Sequence, residues 1–345
     1  MTLAARDRGI THPWSDAPVT GRVIEVAEGI FWARLPLPMA LDHVNIYWLA
    51  DADGWTLVDT GLDWAMGRRA MDALLAGPMA GKPVARVLMT HHHPDHIGLA
   101  GRFADEGAEV LASRVAWLTG RMLTLDWQDR ATPQQIAFRR RAGVTGAALE
   151  AYAAEEPFNF AECVAPLPLG YRALEDGDRL RLAGRDWVVR LGEGHAPAHV
   201  TLWSADLILA GDQILPGISP NIGVYPTEPE ADPLAGWLAS CRRFRDVLGA
   251  QLVLPGHRLP FRGGAMRLQI LIDNHLSALD RIVEGLRRDP KTAVEIFPDL
   301  YRREISVSEF GLALVEAVAH VNHLHRAGRV ERREDAQGAW LYDAI

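Results

Sequence analysis

The sequence predicts a layered α/β protein with a helical insertion and a small helical tail. Three observations carry that prediction. Short apolar runs alternate with amphipathic stretches through the first half, the spacing turns helical from Arg114 to about Glu156, and long helical periodicities follow Gly263-Gly264. The chain has 345 residues, 48% of them hydrophobic and 23% charged, which suits a globular protein with a sizeable core. A single α/β fold plus an appendage accommodates that length.

After a polar, proline-containing lead-in, β-type runs fall at Gly29 to Pro38, Asn45 to Asp51 and Trp55 to Gly61. Asp51-Ala52-Asp53-Gly54 between the last two is a hairpin turn signal. Trp64 to Ala76 reads as a helix, and Pro83 to Met89 as a buried strand that runs into His91. A second helix from about Ile97 to Glu106 and a strand at Glu109 to Ala112 complete the rhythm. In the insertion, 114–156, Trp117, Met122, Leu123, Leu125, Trp127, Ile136 and Phe138 are interleaved with Arg139, Arg140 and Arg141. Strands return at Asp178 to Gly192, a hairpin around Ala183-Gly184, then at Val200 to Ser204 and Leu207 to Ala210. A helix over Pro233 to Leu248 precedes a strand at Gln251 to Leu254. The tail holds a helix to about Arg288, a shorter helical stretch, a helix from about Ser308 to Arg326 and two terminal β-type runs. This organisation gives a main α/β domain over 1–262 and a helical tail over 263–345.

Charge and cysteine usage exclude several functions. Lys plus Arg is 36 and Asp plus Glu 44, so the net charge is 36 − 44 = −8, which disfavours a general polyanion binder. No window approaches the roughly 18 apolar residues of a membrane span, and the opening residues carry no signal-type apolar region, so a cytoplasmic protein is expected. Cys163 and Cys241 alone cannot build a disulfide framework or a Cys-rich zinc module. A metal site must draw on carboxylates and the 13 histidines.

Residues 91 to 96 read His-His-His-Pro-Asp-His. Chance produces the spacing His91-x-His93-x-Asp95-His96 on the order of once in a thousand sequences. In an extended segment His91 and His93 project on one face and can grip one cation together. Where the chain turns into a helix, Asp95 and His96 can swing towards a second position, while His92 alternates away. Imidazole and carboxylate suit borderline metals such as zinc. Further polar residues follow later apolar runs: His195 and His199 in Gly194-His195-Ala196-Pro197-Ala198-His199, Asp212 after Gly211, and His257 after Gly256.

Together with Val58-Asp59-Thr60-Gly61, these motifs resemble the metallo-β-lactamase superfamily over about Gly29 to Pro260. The resemblance implies an αβ/βα sandwich with a dinuclear site at the rim of its sheets, holding two divalent ions, zinc in the first instance, with iron or manganese compatible with the same donors. Carried over, His91, His93 and His199 would hold one metal, Asp95, His96 and His257 the other, and Asp212 would bridge. His195 is then a supporting residue, and Asp59 an acceptor for a ligand imidazole. Ala198 departs from the family, which commonly has Gly there. His43 is a turn residue near the cleft, and His275, His320, His323 and His325 lie on helical stretches away from the motifs.

The expected activity is hydrolysis by a hydroxide held between two cations, with Asp95 orienting it and shuttling its proton. The insertion is expected to roof the cleft, with Trp117, Trp127 and Phe138 as an acyl pocket; Arg139 to Arg141 are solvated or meet an anion, and Tyr225 reaches towards the cleft. The tail resembles the winged-helix-like tail of the lactamase-β-like subgroup, which includes an endoribonuclease. From Gly263 to Ile345, however, 11 Lys or Arg face 13 Asp or Glu, a balance of −2, whereas a nucleic-acid wing is basic. A small-molecule ester, thioester or lactone is therefore the expected substrate. An endoribonuclease or phosphodiesterase is the alternative, a non-catalytic metal-binding module a third reading, and a homodimer is left open.

Overall fold

The structure is a computed structural model that describes residues 9–345. The first eight residues, on which the reading of the N-terminus partly rests, lie outside the described residues. The chain forms two compact units. The first comprises the residues up to Trp127, Phe158–Pro220 and Arg245–Arg267; the second comprises Gln128–Pro157, Asn221–Phe244 and Leu268–Ile345. Compactness therefore does not follow a single cut near Arg262, because the later part of the insertion clusters with the tail.

In the first unit, β1 (Ile24–Ala27), β2 (Ile30–Pro36), β3 (His43–Ala50), β4 (Trp55–Val58), β5 (Val84–Leu88), β6 (Glu109–Ser113) and β7 (Arg172–Leu174) form one sheet in sequence order. β8 (Arg179–Leu182), β9 (Arg185–Gly192), β10 (His199–Trp203), β11 (Leu207–Gly211) and β12 (Leu252–Pro255) form the other. The first three pairings of the large sheet are antiparallel and the last three parallel. The Asp51–Gly54 turn makes the expected β3–β4 hairpin.

Alternation decides the layering. Ile30, Trp32, Leu49, Val58 and Leu88 of the large sheet face Leu180, Trp187, Val189, Leu202, Leu209 and Leu254 of the small one in a core between the sheets. The intervening residues, among them Ala33, Leu35, Val44, Ile46, Trp48, Leu57 and Val87, turn the other way. They pack against α1 (Ala65–Ala76) and α3 (Ala100–Asp105). Apolar residues alternating to both faces explain why these strands read as nearly continuous hydrophobic runs.

The helix expected from Ile97 breaks in two. α2 (Pro94–Ile97) and α3 are separated at Gly98-Leu99, and a Cβ on Gly98 would meet the Gly61 carbonyl oxygen at 2.3 Å. The insertion supplies α4 (Arg114–Leu125) to the first unit and α5 (Pro133–Arg141) and α6 (Gly146–Ala154) to the second. The second unit holds most of α7 (Pro233–Val247) and α8 (Gly264–Leu286), together with α9 (Phe297–Tyr301), α10 (Phe310–Arg326) and the hairpin β13 (Val330–Glu334) with β14 (Trp340–Ala344).

Candidate metal centre

The polar residues singled out from the sequence meet at one rim of the sandwich, each placed by the end of a strand. β4 delivers Asp59, β5 the loop from Thr90 to His96, β9 the loop holding His195, β11 Asp212 and β12 His257. Three sets of donor atoms lie within 4.8 Å of one another: His91, His93 and His195; His91, His96 and Asp212; and Asp95, His96 and His257. His91 Nε2 is 3.0 Å from His93 Nδ1. Asp212 stands between the outer sets, with Oδ1 3.5 Å from His96 Nε2, and Oδ2 3.2 Å from His257 Nε2 and 3.6 Å from His195 Nε2. Asp95 Oδ2 lies 3.4 Å from His257 Nε2 and 3.6 Å from His96 Nε2.

The geometry corrects the order expected within Gly194 to His199. His195, expected as a support, joins His91 and His93; His199, expected as a ligand, joins none of the three sets. His199 opens a fully buried strand and its Nε2 accepts the Asp212 backbone N–H at 3.1 Å, so that lone pair is already engaged. Its ring stacks on His91 at 4.6 Å, the position of a packing and positioning residue. Ala198 takes φ +48°, the left-handed backbone that explains why glycine is usual there.

A second layer orients the donors. Asp59 Oδ2 lies 2.8 Å from His96 Nδ1 and accepts the Thr90 hydroxyl at 2.8 Å, while Oδ1 accepts the Thr90 N–H. Thr90 Oγ1 is 3.0 Å from His91 Nδ1, so one carboxylate steadies two histidines, one of them through a hydroxyl. The sequence reading missed Thr90, whose place directly before the motif was its available signal. His257 Nδ1 is 2.7 Å from the His43 carbonyl oxygen; His43 itself pairs with Asp42 and accepts the Arg258 N–H, so it braces rather than lines the cleft. Asn45 Nδ2 donates to the Pro255 and Arg258 carbonyls and the Tyr47 hydroxyl to Pro255, which clamps the loop bearing His257 to the large sheet. Gly256 leaves the site its space: a Cβ there would meet Asp212 Oδ1 at 2.2 Å.

The electrostatics suit a cation. Burial, reinforced by neighbouring imidazoles, holds His91 and His93 well below the ordinary histidine value and pushes His199 down to about 3. Burial also opposes charge on His96 and His257, but the carboxylates of Asp212 and Asp95 outweigh it, raising His96 well above its usual value and His257 to about 10. His96 Nε2 and Asp212 Oδ1 are buried with no hydrogen-bond partner. Neutral imidazoles facing one another and two orphaned polar atoms beside carboxylates are what a cation would satisfy.

The aromatic residues expected to line an acyl pocket are scattered. Trp117 is buried in the core with its ring stacked on Tyr171 at 4.4 Å, and Phe138 is buried in the second unit. Trp127 and Tyr225 are exposed. Arg139 sits 3.7 Å over the Tyr152 ring and Arg141 5.1 Å over Trp340, while Arg140 and Arg141 remain exposed to solvent. His92 turns its Cβ towards α4 and belongs to none of the donor sets. Cys163 and Cys241 are both buried, and burial raises the Cys163 thiol to about 11.

The sequence pattern of the metallo-beta-lactamase superfamily matches residues 39–257, more than half of the chain. The chain belongs to that superfamily. The pattern of the metallo-beta-lactamase-like C-terminal domain matches residues 279–345. The chain is 26% identical over 310 residues to the probable metallo-hydrolase YqjP of Bacillus subtilis (strain 168), covering 86% of this chain and 92% of that one. A beta-lactamase domain protein from Burkholderia ambifaria superposes with a TM-score of 0.90 at 33% identity, over 99% of this chain and 100% of its own. The metallo-beta-lactamase family protein TTHA1429 from Thermus thermophilus gives 0.76 at 29% identity, over 93% and 100%. Membership carries the metallo-hydrolase class, and the His/Asp cluster has the donor chemistry of a metal site. Among the described residues no helix is long and apolar enough to cross a membrane.

Proposed function

We propose that the protein is a metal-dependent hydrolase of a small-molecule ester, thioester or lactone, working with two divalent ions, zinc in the first instance. The observation that carries the reading is Asp212, whose two oxygens reach towards His96 on one side and towards His257 and His195 on the other. His91, His93 and His195 would hold one ion, Asp95, His96 and His257 the other, with Asp212 shared. The ions supply Lewis acidity and make water acidic enough to act as a nucleophile near neutral pH.

The chain's own residues do the rest. His93, Asp95 and His195 are partly exposed while His91, His96, Asp212 and His257 are buried, so substrate enters from the side of the first three. The Asp95 carboxylate orients the attacking water, receives its proton and passes it to the leaving group. Asp59 and Thr90 keep His96 and His91 aimed inward. The acidic balance of the tail weighs against RNA, and a soluble metabolite needs no basic wing.

The test is a hydrolysis panel of thioester, lactone, aryl ester, β-lactam, phosphodiester and RNA on metal-analysed protein beside His91→Ala. Turnover of an acyl substrate that disappears in the variant is expected. RNA as the sole substrate, or full turnover by metal-free His91→Ala, would overturn the reading.

A further inference from the structure

The geometry points to a homodimer seam along the solvent side of α4, where the same helix of a second copy packs antiparallel against it. α4 carries apolar side chains on two opposite sides, with Arg114 and Arg121 on one flank and Thr119 on the other. Its inner side buries Ala116, Trp117, Gly120 and Thr124, and a Cβ on Gly120 would meet Ile97 Cδ1 at 2.9 Å, so the helix already lies tight on the body. Its outer side nonetheless carries Val115, Leu118, Met122 and Leu125, with Leu118 52% and Leu125 67% exposed. At about 100° per residue these four form one stripe opposite Gly120. An apolar stripe left exposed on the outer side of such a helix marks a face for a partner.

The spacing identifies the occupant. Steps of three, four and three residues are those of a coiled-coil seam. They are also symmetric about Gly120, so a two-fold axis beside that residue sets Val115 opposite Leu125 and Leu118 opposite Met122 of the other copy. A surface that matches itself under a two-fold is the requirement of an isologous interface. Phe158, before the 3-10 turn that packs on α4, and Leu169, just past the carbonyls that anchor Arg121, are neighbours of the helix and are 64% and 81% exposed. Six large side chains exposing on the order of 100 Å² each approach the ~800 Å² that each partner buries in a standard interface. The −8 net charge disfavours an anionic lipid surface as the occupant.

Sedimentation velocity on the full chain across a micromolar range tests this. The wild type is expected to run as a dimer, and Leu118→Glu/Met122→Glu as a monomer of half the mass with unchanged circular dichroism and metal content. Because an unfolded variant would also lose the dimer, a second pair reads the register: Leu118→Cys/Met122→Cys is expected to cross-link between copies on oxidation, and Leu118→Cys alone is not. A wild type that stays monomeric, a double-Glu variant that remains dimeric, or efficient cross-linking by Leu118→Cys alone would each overturn the seam. So would a monomer that floats with phosphatidylcholine–phosphatidylglycerol vesicles, which would make the stripe a lipid contact.

Discussion

In the first unit, buried imidazoles converge with Asp95 and Asp212 at an open rim; in the second, His275 and His320 lie buried against each other between helices. The second pair has a determined protonation. His320 Nδ1 lies 2.8 Å from the Glu316 carbonyl oxygen, which only accepts, so that nitrogen carries a proton and His320 Nε2 accepts from His275 Nδ1 at 3.2 Å. Both rings are neutral, and burial pushes them down to about 3 and about 4. At the rim the same burial is overcome on His96 and His257 by carboxylates, so the site gathers positive charge. Burial alone makes histidine an inert core residue; burial beside shared carboxylates makes a place for cations.

The largest expected effect breaks the comparison at its strongest point. His195→Ala should lower metal occupancy and turnover by several orders of magnitude, whereas His199→Ala should keep most of the metal and lose stability, because a stacked ring and an acceptor for the Asp212 N–H go. Metal analysis of the two variants side by side decides it, and equal metal loss in both would return His199 to the ligand set.

The second prediction concerns the pair in the helices. His275 and His320 have folded values depressed below 6.5, so they favour the folded state above 6.5 and that contribution is lost as pH falls towards 4. Replacing both with Leu should flatten the acid slope of denaturant stability by roughly 4 kcal/mol between pH 6.5 and 4.5, about 2 for each ring. An unchanged slope would show that other groups set it.

A carboxyl in the same unit works in the opposite sense. Burial raises Glu316 to about 7 against the hydrogen bonds from Tyr301 and Asn221. Its contribution is present below 4.5 and lost as pH rises through about 7. Since the side chain is only half-buried, Glu316→Gln should gain about 1 kcal/mol at pH 8 and nothing at pH 4. The smallest effect belongs to the loop between the two histidines of the rim: Ala198→Gly removes left-handed strain and should stabilise by about 0.5 kcal/mol after the entropic cost of glycine, read as a small rise in Tm.

The strands that carry the site were legible because their apolar runs end in polar residues at the rim. β1 and β7 were not, since Ile24-Glu25-Val26-Ala27 and Arg172-Ala173-Leu174 are short, mixed edge strands whose pairing comes from neighbours. The donor chemistry of His91, His93, Asp95 and His96 could be read from spacing, and that of Asp212 and His257 from their places after apolar runs together with the family resemblance. The choice between His195 and His199 could not, because it depends on where the loop ends and β10 begins. The division of the insertion at Trp127 was equally hidden, since helical spacing does not say against which body a helix packs.

The clamp from Asn45 and Tyr47 onto Pro255 and Arg258 ties one sheet to the loop of the other that carries His257. Asp95 and His96 belong to the large sheet's loops and His257 to the small sheet's. Cations held across them would therefore act as a clasp on the sandwich itself. Loading should slow amide hydrogen exchange along the ends of β3 and β12, and chelation should open the sandwich first at this rim, so the donor set would double as the hinge pin of the fold.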